Sequence, residues 1–244
     1  MIRNVVLSSI MMAGTLFGQA EGPVRVDAPI SKIFIPNGFD DNDNTEVVIH
    51  GKLPSTCYHM GDSKASVDEE NQMINLDADV LFYQNSFCIQ SITPYIQEVN
   101  TGLLKKGTYT VSYNNDPSVE EKLEVKERTT ESPDDFLYAP VKNAFIDVNF
   151  DSGKQVLKLQ GTFPHMFIGC MVLKDVRVNS NPSDVLVVQP IAEIVDGPIC
   201  DEQAADRSFK FTKGLKKPFY GEGLLHVRTL EGKSLNRYLD IPAF

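Results

Sequence analysis

The sequence predicts an all-β protein built from two tandem antiparallel β-sandwiches, each closed by one intradomain disulfide. Three observations predict it: apolar residues alternate with period two, short motifs recur about 110 positions apart, and the four cysteines fall two to each half.

The alternation is plainest at Ile74, Leu76, Ala78, Val80 and Phe82, with Asn75, Asp77 and Asp79 between them. One apolar face and one polar face is the pattern of a half-buried strand. Tyr109, Val111 and Tyr113 repeat it, as do Leu157 with Leu159, and Leu225, Val227 and Thr229. No window reads as an amphipathic helix of three turns. Turn formers stand at Asp40–Asn44, Gly61-Asp62, Asp68–Asn71, Gly107 and Asn114–Pro117. That spacing suits about seven short strands per sandwich.

The recurrence sets the domain plan. Ala28-Pro29-Ile30 with Phe39-Asp40 returns as Ala139-Pro140-Val141 with Phe150-Asp151. Gly51-Lys52-Leu53-Pro54 returns as Gly161-Thr162-Phe163-Pro164, and Cys57 and Cys88 correspond to Cys170 and Cys200. A unit this long exceeds a solenoid repeat, so each copy is expected to hold its own core. The polar stretch Lys126–Asp135, with Ser132-Pro133, separates them. The expected boundaries are a signal segment at 1–20, a first domain at 21–126, a linker at 127–138 and a second domain at 139–244.

The first twenty residues have the order of a secretory signal: Arg3, an apolar stretch from Val5 to Phe17, then Gly18-Gln19-Ala20, with cleavage expected after Ala20. The apolar stretch is too short to span a bilayer comfortably, and no cysteine follows to accept a lipid. A protein exported to the periplasm or secreted, with no membrane span left after cleavage, is therefore expected. Four cysteines without a C-x-x-C pair fit two disulfides in an oxidising compartment. Cys57 precedes a strand running to about Val67, and Cys88 follows the returning strand from Met73 to Tyr83. Their sulfurs meet at the open end of one hairpin whose tip is Asp68–Asn71. Cys170 and Cys200 flank a second hairpin with its tip near Asn179–Pro182.

Charge excludes one class of partner. The chain carries 33 acidic against 23 basic side chains, net −10, and so repels nucleic acid and anionic membranes.

Leu104-Lys105-Lys106-Gly107-Thr108-Tyr109-Thr110-Val111 resembles the tyrosine corner of immunoglobulin-like domains, the alternative being a tyrosine at the core edge of any β protein. The second half has Gly223-Leu224-Leu225 there instead. Together with Gly51-x-Leu53-Pro54-x-x-Cys57 and Cys88-Ile89-Gln90-x-Ile92-Thr93-Pro94-Tyr95, this stretch resembles exported bacterial immunoglobulin-like β-sandwich domains of unassigned function, often found as small lipoproteins. In the second half the Gly-x-Phe-Pro element and the cysteine pair persist, while Asp201-Glu202-Gln203 replaces the Gln-x-Ile-Thr-Pro run. The resemblance implies fold and compartment and brings no catalytic residues.

Candidate chemistry is sparse. Asp40-Asp41-Asn42-Asp43-Asn44-Thr45-Glu46 is the densest acidic cluster, but no start within it supplies the glycine and glutamate of an EF-hand loop; it reads as a solvated turn. His59-Met60 beside Cys57, and His165-Met166 beside Cys170, have the residue types of a copper site. Such a site needs a free thiolate and two histidines, so the four histidines (His50, His59, His165 and His226) are expected to be satisfied or exposed. No nucleophile, zinc-protease, phosphate-loop or dinucleotide motif occurs. Lys213–Lys217 matches Lys105-Lys106 in position and reads as a solvated loop. No catalytic residue, metal ligand or cofactor is assigned. The expected function is a non-enzymatic binding or structural module of the bacterial cell envelope, with an envelope or extracellular protein as partner. The alternatives are a hydrolase or metal-handling periplasmic protein (copper or calcium), or an inhibitor of an envelope enzyme.

Overall fold

In the computed structural model the described residues are 22–84, 86–114, 116–165, 169–181, 184–198, 200–201 and 206–243. The expected signal segment, Asn115, Met166, Pro182, Glu202 and Gln203 lie outside them. No helix among the described residues is long and apolar enough to cross a membrane.

The first half holds β1 (Val24–Asp27), β2 (Ile30–Phe34), β3 (Phe39–Asp40), β4 (Thr45–Leu53), β5 (Tyr58–Asp68), β6 (Met73–Phe82), β7 (Thr93–Gly102), β8 (Gly107–Tyr113) and β9 (Asp116–Lys126). The second holds β10 (Val141–Asn149), β11 (Lys154–Thr162), β12 (Cys170–Ser180), β13 (Val185–Val195), β14 (Ser208–Gly214), β15 (Gly221–Thr229) and β16 (Lys233–Ile241). In the first half a sheet β2-β4-β7 packs on a sheet that runs β5-β6-β8-β9, with β1 and β3 added to it. The same order recurs in the second half as β10-β11-β14 against β12-β13-β15-β16. Each half is thus a β-sandwich. Most ladders are antiparallel, but β6 pairs parallel with β8, and β13 with β15.

The recurring motifs have a steric cause. The Ala28 amide donates to the Ala78 carbonyl, and the Ala139 amide to the Pro190 carbonyl, which places Pro29 and Pro140 alike. The carbonyl oxygens of Pro29 and Pro140 then sit against Gly51 and Gly161, on the side where the rings of Tyr95 and Phe209 also close in. A Cβ at either glycine would overlap both neighbours.

Each sandwich has its own core. Ile33, Val47, Ile49, Ile74, Leu76, Val111 and Leu123 fill the first, and Leu157, Leu159, Val188, Leu225 and Val227 the second. The two halves also dock. Phe34, Val48, Val185, Val187 and Leu224 form a third buried cluster between sheet β2-β4-β7 and sheet β12-β13-β15-β16. Successive residues of β4 therefore face opposite ways into two dry layers, Val47 and Ile49 into the sandwich and Val48 into the seam. This corrects the half-buried reading of the last hairpin: Leu225 and Val227 face the core, but Leu224, His226 and Arg228 on the other face are buried too.

Candidate functional site

Both disulfides close the hairpins as the spacing predicts. Cys57 bonds Cys88 and Cys170 bonds Cys200, with Cα–Cα distances of 5.3 and 5.2 Å. The first bridge joins the start of β5 to the chain after β6, whose ladder runs from Tyr58↔Phe82 to Asp68↔Met73. In the second hairpin Asn179 and Ser180 still belong to β12, so the turn lies beyond them rather than at Asn179. Tyr109 Oη donates to the Lys105 carbonyl at 3.1 Å, the back-bond of a tyrosine corner.

The candidate copper residues do not assemble. Cys57 and Cys170 are in disulfides, His59 is exposed with its ring edge on Tyr83, and His165 is exposed. Among the described residues no three of His, Cys, Asp and Glu come together as a metal-binding group.

The acidic turn is where expectation and structure part most. Asp40, Asp43 and Glu46 are buried instead of solvated, and side chains of the second half pack on Asp43 and Glu46. Asp43 Oδ2 accepts the Asp40 amide at 3.1 Å and two bonds from Arg228, Nη1 at 3.2 and Nη2 at 3.1 Å. Arg228 Nη2 also donates to the Gly38 carbonyl at 2.8 Å, and the guanidinium lies over the Phe39 ring, 4.6 Å from its centroid. Burial pushes the Asp43 carboxyl up despite the Arg228 charge, whereas the Arg228 guanidinium, penalised by the same burial, is held above its usual range by Asp43.

Next to this pair stands a second polar group. Ser234 Oγ donates to Glu46 Oε1 at 2.6 Å, and Asn236 Nδ2 donates to Glu46 Oε1 at 2.9 Å and to Glu98 Oε2 at 3.1 Å. His226 Nδ1 lies 2.9 Å from Asn236 Oδ1 and 3.3 Å from Glu46 Oε1. Both neighbours are acceptors, so Nδ1 carries the hydrogen. Burial raises the Glu46 carboxyl, but His226, Ser234 and Asn236 outweigh it and hold the group at about 2. Burial and the Glu46 charge push Glu98 the other way, up to about 7.

Serine, histidine and glutamate stand together here, the residue types of a hydrolytic triad, but their connectivity is different. The Ser234 hydroxyl donates its hydrogen bond to Glu46 rather than to the imidazole, and His226 Nε2 has no partner among the described residues. A nucleophile activated by its base needs the serine on the imidazole nitrogen.

Asp43, Glu46, His226, Arg228 and Ser234 line a cleft of about 500 Å³ at the edge of the seam. Its walls are the acidic turn, the segment Ser132–Asp134 and the turn from Glu231 to Ser234. The connection between the halves is tied down beside it: Asn42 Nδ2 donates to the carbonyls of Thr130 and Ser132, each at 3.0 Å. Among the described residues, three that line the cleft keep a buried polar atom without a partner, namely Asn42 Oδ1, His226 Nε2 and Arg228 Nε.

Of these seam residues the acidic turn, His226 and the linker Ser132-Pro133 stood out in the sequence, each in another role, while Glu98, Arg228, Ser234 and Asn236 did not. The available signal was continuous apolar runs, Val47-Val48-Ile49 and Val185-Leu186-Val187-Val188, which mark strands covered on both faces.

Residues 47–125, from β4 to β9, match the family described as the ORF11 beta-sandwich domain. No curated protein and no solved structure matches the chain.

Proposed function

We propose that this protein is an exported, non-enzymatic binding module of the bacterial cell envelope, made of two copies of one immunoglobulin-like β-sandwich and binding through the cleft at their seam. The family match covers the first sandwich from β4 to β9, and the recurring strand order supports a second copy after it. Two disulfides suit a protein that folds in an oxidising compartment. The observation that carries the binding reading is the cleft itself: a concave site where two domains meet, lined by three residues with unsatisfied buried polar atoms. Such a site suits a polar loop of an envelope or extracellular protein, whose amides and hydroxyls both donate and accept.

A photo-crosslinking residue in place of Leu103, 64% exposed on the cleft rim, tests this against the same residue in place of Phe150, 66% exposed elsewhere. Capture of one envelope protein from position 103 and not from 150 is the expected result. Equal capture at both positions, or no capture together with turnover of an ester or peptide substrate by the purified protein, overturns the reading.

A further inference from the structure

Corresponding turns of the two halves treat their lysines differently. In the first half, between β7 and β8, Lys105 pairs with Glu69 at 2.5 Å and Lys106 with Glu127 at 2.6 Å. Glu69 stands at the tip of the β5–β6 hairpin, in the acidic run Asp68-Glu69-Glu70. In the second half, the end of β14 and the turn after it carry Lys213, Lys216 and Lys217. The facing hairpin end reads Asn179-Ser180-Asn181, without a carboxylate. Asp184, at the far side of that hairpin turn, is committed to Lys32 of the first half at 2.6 Å. Among the described residues, no carboxylate lies within ion-pair distance of the three lysines, although eight other lysines have such a partner.

A cavity of about 350 Å³ lies between that hairpin end and that turn, where the two sheets of the second sandwich part. Lys213 is half-buried and fixed there, its Nζ donating to the Val176 carbonyl at 2.5 Å. Asn179 and Ser180 line the same cavity, while Val178, Leu186 and Leu215 supply apolar lining. Three like charges around one cavity repel each other, and in a chain of net −10 their neutralisation by the protein's own acids is the ordinary arrangement. Here it is missing on one side of a matched pair.

We infer that this cavity binds an anionic amphiphile: an oxyanion head, carboxylate or phosphate, held by the lysines with Asn179 and Ser180, and a short apolar chain against Val178, Leu186 and Leu215. The site lies outside the seam cleft and shares no lining residue with it, so neither test bears on the other. Lys216 and Lys217 are exposed, as the solvated-loop expectation has it, and Lys213 is half-buried.

Calorimetric titration of the full chain with hexyl phosphate, hexanoate and inorganic phosphate tests the inference. One of the two amphiphiles is expected to bind saturably at one site, at least tenfold more tightly than inorganic phosphate. The paired change Lys216→Glu with Lys217→Glu, both on an exposed turn, is expected to weaken it more than tenfold. The matching pair Lys105→Glu with Lys106→Glu is expected to leave it unchanged. Amphiphiles that bind no better than inorganic phosphate, an affinity indifferent to Lys216 and Lys217, or the absence of saturable binding each overturn the site.

Discussion

Arg228 is 6% exposed and Asp43 4% exposed, so each is the other's main compensation for leaving water. Removing one member leaves a charge buried with no counter-charge, which costs about 3–5 kcal/mol, whereas replacing a buried pair by apolar groups of similar volume is often close to neutral. Arg228→Ala is therefore expected to lower the free energy of urea unfolding by that amount, and Arg228→Met with Asp43→Leu by much less. Similar losses in the single and double variants would mean that the cost comes from the missing volume rather than the orphaned charge. Residues at this scale were unevenly legible. The cysteines were readable because two nearly equal spacings, 31 and 30 residues, repeat, and Tyr109 because its corner is local. Arg228 and Asp43 stand 185 positions apart, and no local pattern can announce such a pair.

The hairpins β5–β6 and β12–β13 are the best-read elements, since alternation, turn residues and flanking cysteines agree on their limits. Each bridge closes a loop of about 30 residues, which on chain-entropy grounds adds roughly 3–4 kcal/mol. Cys57→Ser with Cys88→Ser is accordingly expected to shift the urea midpoint downward and to steepen the slope, because the chain freed of its crosslink unfolds to a more expanded ensemble. A lower midpoint with an unchanged slope would mean that the bridge acts on the folded state instead. Strands β4 and β15 were read less completely. Period two identifies one apolar face, and it did so for Leu225 and Val227, but it is silent when the second face is covered by polar side chains such as His226 and Arg228. A buried polar face looks like a solvent face in sequence, because hydropathy does not record whether the partner of a charge is water or another charge. The acidic turn at Asp40–Glu46 was misread for the same reason.

At the scale of the molecule, the seam makes the two sandwiches one folding problem, and the carboxylates at its edge make that problem depend on pH. Glu46 is buried and faced by His226, Ser234 and Asn236 from β15 and β16 and by Glu98 from β7. Its folded value of about 2 lies below its ordinary 4.5, so its contribution is present above pH 4.5 and is lost as pH falls through 2. Glu98 runs the other way: at about 7 its folded value is raised, so its contribution is present below 4.5 and is lost as pH rises through 7. Because Glu98 is otherwise exposed, water damps that second limb. Stability is thus expected to fall on both sides of about pH 4.5, steeply toward acid and gently toward neutral. Thermal midpoints measured from pH 2.5 to 8 check this, with Glu46→Gln flattening the acid limb and Glu98→Gln the neutral one. If the seam couples the halves, hydrogen exchange at Leu76 in the first core and Leu159 in the second should respond together to either substitution. A response confined to the first half would mean that these carboxylates steady their own sandwich and leave the docking of the second untouched.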